Sequence, residues 1–210
     1  MKNIYFIRHA QSEANIGGIT KPNKEINLTQ TGIKQAEKIA KMLNVVPTKI
    51  FVSEYYRTQQ TAEALLQKHN LSALVLPCLN EFNTLCHKVI DGLNGEERIP
   101  IILKYWEDSD PNWRHGETAQ TFNEFYQQVF SFNQELEHIP NNSIIFGHGM
   151  WLALYIWQQL GFKDKCDRTI EMQLFRKFQL GLPIPNTALY HFIWNDDLQF
   201  CKLEYINNFM

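Results

Sequence analysis

The chain has 210 residues, 44% of them hydrophobic and 20% charged, with a formal net charge of −2. This is the composition of a globular protein long enough to bury a substantial core, and its slight acidity argues against nucleic acid as a partner, because such binders carry a basic excess. Cys78, Cys86, Cys166 and Cys201 lack CxxC spacing and read as reduced, mostly packed thiols rather than a metal site or disulfide framework; with no apolar run near the ~20 residues of a membrane span and no leader before the first strand, a cytoplasmic location is expected.

Residues 3–8 read as a first strand, an apolar run that stops abruptly at Arg8-His9. A loop with Gly17, Gly18 and Pro22 follows. Residues 28–32 lead into a helix to about 43, with a threonine N-cap and Ile33, Ala36, Ile39, Ala40 and Leu43 on one face. Residues 49–53 form a second strand, 54–68 a helix with Thr61, Ala62, Leu65 and Leu66 turned inward, and 73–76 a weak third strand. From about 80 to 111 the pattern is irregular, interrupted by Gly92, Gly95 and Pro100, with a turn signal at 108–111. A long helix spans about 119–138. Residues 142–146 are the clearest buried strand, ended by Gly147-His148-Gly149, and 150–160 are helical. Residues 163–168 read as a solvated loop, and 172–180 as core or a partner surface. Residues 187–194 and 198–206 form a hairpin around Asn195-Asp196-Asp197.

Strands alternating with helices predict an α/β fold, a mostly parallel central sheet with helices on both faces. The chain is read as one domain over 1–210, with an insertion or lid at about 82–118. In such sheets ligands bind beyond the carboxyl ends of the strands, and His9, Ser53 and His148 each fall just after a predicted strand. An imidazole at a rigid strand end is a competent nucleophile, and the Arg8 fork matches phosphate oxygens. Arg57 falls in the first turns of its helix, where free amides and the dipole already favour an anion. His148, between two glycines, can donate to a phosphate oxygen as charge develops. Glu81, after the third strand, is the best candidate to protonate a leaving oxygen, with Leu79 and Phe82 expected to desolvate it and keep it protonated. Each residue alone has a plainer reading: a surface histidine, a solvated helix arginine, a capping histidine, one carboxylate among 22 acidic residues. Together they predict a small cationic cup with an imidazole at its floor and both rings reaching solvent. Trp106, Trp113, Phe122, Phe125 and Tyr126 either line the leaving group or, more simply, form core.

The segments 8–15, 28–32, 53–62, 79–81 and 147–149 resemble, in order, the motifs of the histidine phosphatase superfamily (phosphoglycerate-mutase-like), over most of the chain from 3 to about 160. The resemblance implies a three-layer α/β/α sandwich and a phosphohistidine intermediate. It implies His9 as nucleophile and Arg8, Arg57 and His148 as the phosphate pocket, with Glu81 where the family places its proton donor. Ser12 and Asn15, in the loop after the nucleophile, and Gly149 fall at substrate-binding positions. No metal or cofactor is implied.

Ala10 stands where glycine is more usual, and Gly147 and Met150 are unusual around His148, Met150 being placed to narrow the pocket mouth. Mutase branches resemble one another in an arginine and a tyrosine just after the glutamate and a pair of adjacent arginines later. This chain has Phe82-Asn83, and none of its arginines is adjacent to another. The expectation is therefore a metal-independent phosphomonoesterase acting on a small phosphorylated metabolite, without nucleic acid or membrane and with a homodimer left open. A phosphomutase and a non-catalytic phosphate-binding regulatory module are the rival readings.

Overall fold

A computed structural model describes residues 1–197 and 199–208. The elements are β1 (Lys2–Arg8), α1 (Gln30–Met42), β2 (Ile50–Val52), α2 (Tyr56–His69), β3 (Ala73–Val75), α3 (Gly95–Asp108), α4 (Phe122–Glu135), β4 (Ser143–Gly147), α5 (Gly149–Gln159), α6 (Arg168–Gly181), β5 (Ala188–Trp194) and β6 (Phe200–Asn208). The sheet order is β3-β2-β4-β1-β5-β6. β1 to β4 run parallel, β5 pairs antiparallel with β1, and β6 antiparallel with β5. The sheet is thus mixed, a four-stranded parallel block extended by the expected hairpin.

The period-2 alternation of the strands sorts the core into two layers. Ile4, Phe6, Ile145 and Phe192 face a cluster built with α4, α5 and α6. Ile7, Ile50, Val52, Ile144 and Phe146 face the other, built with α1 and α2. Trp106, Phe122, Phe125 and Tyr126 belong to the first cluster, and Trp113 is 44% exposed; these aromatics are core and surface rather than a pocket lining.

α1 starts as expected, the Thr29 hydroxyl accepting from Gly32 N at 3.1 Å. Its buried face is Gly32, Ala36, Ile39 and Ala40, and Ile33 points outward, contrary to expectation. The inward place in the first turn belongs to Gly32, where a Cβ would lie 2.0 Å from the Gln11 carbonyl oxygen. Leu66 is only partly buried on α2. The stretch expected to be irregular contains α3. Asn94 caps it, accepting from the amides of Glu96 and Glu97 while Glu97 reaches back to Asn94 N, a capping box that specifies a helix start. Pro100 lies in the second turn, where it forfeits one backbone bond. α4 is shorter than expected and begins at its own capping box, Thr121 with Glu124.

Residues 172–180 lie on α6, with Met172 and Phe175 buried and Leu174 and Leu180 exposed. Fully buried Glu171 docks the helix: its carboxylate accepts from Tyr126 OH at 2.8 Å, Trp157 Nε1 at 3.1 Å and Arg168 Nη1 at 2.7 Å. Cys166 and Cys201 are exposed, so the expectation of mostly packed thiols holds only in part. Among the described residues, no helix is long and apolar enough to cross a membrane. Leu198, expected at the start of the last strand, lies outside the described residues.

Candidate active site

The parallel register of β1 and β4 pairs Arg8 with Gly147. One residue further along each strand stand His9 and His148, and His9 N donates to the Gly147 carbonyl at 2.9 Å. Their rings lie 5.3 Å apart, inclined at 61°. Two histidines separated by most of the chain therefore meet because two adjacent strands end at the same level. Gly147 permits the approach: a Cβ there would stand 2.3 Å from the ring of Phe6.

His9 Nδ1 lies 2.7 Å from the Ala10 carbonyl oxygen. A carbonyl only accepts, so the proton sits on Nδ1 and Nε2 keeps its lone pair. Burial, with the Arg57 and Arg8 guanidiniums nearby, holds the His9 pKa well below its usual value, so the ring is neutral at neutral pH. The loop beyond is pinned from both helices on that face, Ala10 N donating to Thr61 Oγ1 at 3.0 Å and Gln11 N to Gln35 Oε1 at 2.8 Å.

His148 Nε2 lies 2.9 Å from Ser53 Oγ, which in turn accepts from Tyr55 N at 3.1 Å and lies 2.8 Å from Thr58 Oγ1. Burial, Arg57, His9 and Arg8 also keep His148 well below the usual range. Its Nδ1 and Arg8 Nε are buried without a protein partner. Such groups are costly unless something accepts from them, and two on residues that flank one cup suit an anion.

Arg57 is buried and holds the Asn23 carbonyl at 2.8 Å; burial pulls its pKa down to about 10, with the Glu81 carboxylate opposing, and it stays charged at neutral pH. Arg8 donates to the Ile184 carbonyl from the far side. Each cation is thus aimed by a carbonyl from a different flanking loop. Glu81 follows Leu79 and precedes Phe82, both buried. Its carboxylate accepts from Met150 N at 3.1 Å, Trp151 N at 2.9 Å and Phe82 N at 3.0 Å, at the N-terminus of α5, where free amides favour negative charge. Ser12 is buried, and both its amide and its hydroxyl donate to Asn15 Oδ1 at 3.0 Å. Gly149 packs against Arg8, a Cβ there lying 3.2 Å from Nε.

The structure brings Arg8, His9, Arg57, Glu81, His148 and Gly149 together, with Asn15 on the adjoining loop. It does not leave the cup open. His9 is 4% and His148 0% exposed, contrary to the expected solvent access, and the adjoining cleft of about 210 Å³ is lined by their chain neighbours Arg8 and Gly149 with Glu81, Met150, Gln179, Leu182 and Ile184. The cover is residues 182–187, between α6 and β5. Met150 does line this mouth. Sequence reasoning missed Ile184 and Asn186; the available signal was that a last strand antiparallel to β1 must begin where β1 ends, so the polar pair before it faces the same edge.

Residues 4–203 match the sequence model of the histidine phosphatase superfamily (branch 1). Among curated proteins, the adenosylcobalamin/alpha-ribazole phosphatase of Escherichia coli (strain K12) is 26% identical over 163 residues, 75% of this chain and 79% of that protein. The probable phosphoglycerate mutase GpmB of Yersinia pestis (strain Pestoides F) is 25% identical over 181 residues, 82% and 81% of the two chains. Among solved structures, a mycobacterial glucosyl-3-phosphoglycerate phosphatase in complex with VO3 superposes with a TM-score of 0.74 at 17% identity, covering 99% of this chain and 100% of that one.

Proposed function

The chain belongs to the histidine phosphatase superfamily, branch 1, and from that membership we propose that it is a phosphomonoesterase working through a phosphohistidine. The observation that carries the reading is the pairing of His9, with Nδ1 committed to a carbonyl and Nε2 free, to a ring 5.3 Å away and the Arg8 and Arg57 guanidiniums. Arg8, Arg57, His148 and Asn15 hold the phosphoryl oxygens, on which charge is spread in the transition state. His9 Nε2 attacks phosphorus as the bond to the leaving oxygen breaks, and Glu81, which enters this step as the acid with its proton on Oε2, the oxygen that accepts a single amide, passes that proton to the leaving oxygen and becomes the carboxylate. Water, deprotonated by the same carboxylate, then displaces the imidazole and frees inorganic phosphate. Each step uses side chains of this chain alone.

Phosphatase is preferred over mutase because a mutase must grip a second anion. The other arginines are engaged elsewhere: Arg98 with Gly18, Thr20 and Leu93, Arg114 with Glu124, Arg168 with Glu171, Arg176 with Gln179. The leaving group is assigned to the side facing residues 82–118, taken as a lid. A cavity of about 180 Å³ there is lined by Ile26, Phe82, Leu85 and Ile102 together with Glu13, Lys21, Asn83 and Arg98, fitting a leaving group with both apolar and polar parts.

His9→Ala is expected to lower turnover at least ~10³-fold, the scale of losing a nucleophile. Brief exposure of the wild-type protein to ³²P-labelled substrate should leave acid-labile, base-stable label on His9. A variant that still releases phosphate at near the wild-type rate overturns the reading. Primer-dependent isomerisation of phosphoglycerate without net phosphate release would establish the mutase instead.

A further inference from the structure

The segment covering the cup carries a side chain whose two hydrogen bonds are both with the catalytic apparatus. Asn186 Nδ2 lies 2.9 Å from the His9 carbonyl oxygen and 3.1 Å from Asn15 Oδ1. We propose that Asn186 is a positioning residue for phosphoryl transfer, fixing the nucleophile's backbone and turning the Asn15 amide so that its NH₂ group faces the phosphate. The proposal rests on the phosphatase reading above.

Both amide orientations are dictated by main-chain groups. The His9 carbonyl only accepts, so the Asn186 atom against it is nitrogen. The Ser12 amide only donates, so the Asn15 atom 3.0 Å from it is oxygen. That oxygen also receives the Ser12 hydroxyl and Asn186. Three donors converge on one carbonyl oxygen, and the two N–H donors of Asn15 are left to the exposed side of the loop. A side chain able to flip would present an acceptor to an anion half the time; the third donor removes that alternative.

The backbone around Asn186 is built to hold this aim. Pro183 and Pro185 fix their own φ and keep the residues before them out of the helical region, Leu182 standing at φ −111°, ψ 81°. Thr187 follows at φ 63°, a left-handed conformation costly for a β-branched residue. It is retained by Thr187 N donating to the Arg8 carbonyl at 3.1 Å and by its hydroxyl donating to the Asn186 carbonyl at 2.6 Å. Strain of this kind persists where surrounding contacts over-determine the backbone, often at functional sites.

The test compares wild type with Asn186→Ala, Asn15→Ala, their double variant and the isosteric Asn186→Asp. It measures orthovanadate affinity by calorimetry, and kcat and KM on 4-nitrophenyl phosphate. Asn186→Ala is expected to weaken orthovanadate about tenfold and kcat/KM about 10- to 100-fold, the scale of a small misplacement of reacting groups. The double variant should fall well short of the product of the single losses, because coupled residues are not additive. Asn186→Asp faces two acceptors with a third, so its kcat/KM relative to wild type should rise as pH falls and its carboxyl regains a proton to donate. Orthovanadate affinity within twofold of wild type in Asn186→Ala, multiplicative losses in the double variant, or a pH-flat ratio for Asn186→Asp overturns the proposal. A wild-type protein that binds orthovanadate without hydrolysing any monoester fails the phosphatase reading, and the affinity comparison still decides the role of Asn186.

Discussion

Gly149 stands close enough to Arg8 for its missing side chain to matter. Arg8 Nε is one of the two unpartnered buried nitrogens of the cup, and a methyl group on Gly149 would sit 3.2 Å from it and 3.4 Å from Cδ and Cζ. Contacts at those distances demand small adjustments rather than unfolding, but they occupy the space beside the donor. Gly149→Ala should therefore keep nearly its full melting temperature while weakening orthovanadate and inorganic phosphate about tenfold or more, the size of one hydrogen bond to a charged group. Competitive inhibition constants measure this, and unchanged constants would show that Nε does not face the anion. A similar economy governs Ser53. Its hydroxyl, 2.9 Å from His148 Nε2, leaves Nδ1 carrying the proton when Ser53 is the donor, which turns an orphaned ring atom into a donor toward phosphate.

At the scale of elements, β4 leaves little room for change. It is paired on both sides, with β1 and β2, so its backbone has no room to withdraw. A Cβ on Gly147 would lie 2.3 and 2.8 Å from two atoms of the Phe6 ring, and that ring is stacked on Trp151 with centroids 5.4 Å apart. Gly147→Ala is expected to destabilise by about 1–3 kcal/mol through overpacking, read as a lower urea midpoint at unchanged slope; a loss under about 0.5 kcal/mol would mean the ring has somewhere to go. Elements with a clear period were legible before folding. α1 announces itself by its apolar spacing, β4 by its unbroken apolar run, and the hairpin by the polar turn between alternating strands. α3 was hidden because Gly95 and Pro100 are breakers in isolation; the cap at Asn94 starts the helix, and the close approach of Gly17 requires the glycine at 95. The site was legible where chemistry sits in side chains of a motif: Arg8, His9, Arg57 and His148. It was illegible where it sits in backbone carbonyls, Asn23 and Ile184, or in Asn186, which reaches the cup only because β5 runs antiparallel to β1.

For the whole molecule, the cup makes folding itself depend on pH. His9 and His148 are held below the usual imidazole value of 6.5, chiefly by burial and then by the neighbouring guanidiniums. The unfolded chain regains the ordinary value, so between the two values it binds more protons than the folded one, and stability rises with pH there. The contribution is fully present above about pH 6.5 and is lost as pH falls from that value toward the depressed ones, at up to about 1.4 kcal/mol per pH unit for each ring. His115 is shifted in the same direction by partial burial. The carboxylates lowered by ion pairs and hydrogen bonds, Glu13, Glu54 and Glu124 among them, have ordinary values near 4.5 and add their losses only at more acid pH. Urea midpoints at pH 7.5, 6.0 and 5.0 should therefore decline in wild type, and the decline between 6.5 and 5 should be shallower in His148→Asn, which removes one of the titrating rings. A wild-type midpoint constant from pH 7.5 to 5.0 would mean that the rings take up protons without penalty. Two cations beside a neutral imidazole could then not be the arrangement that makes His9 a nucleophile.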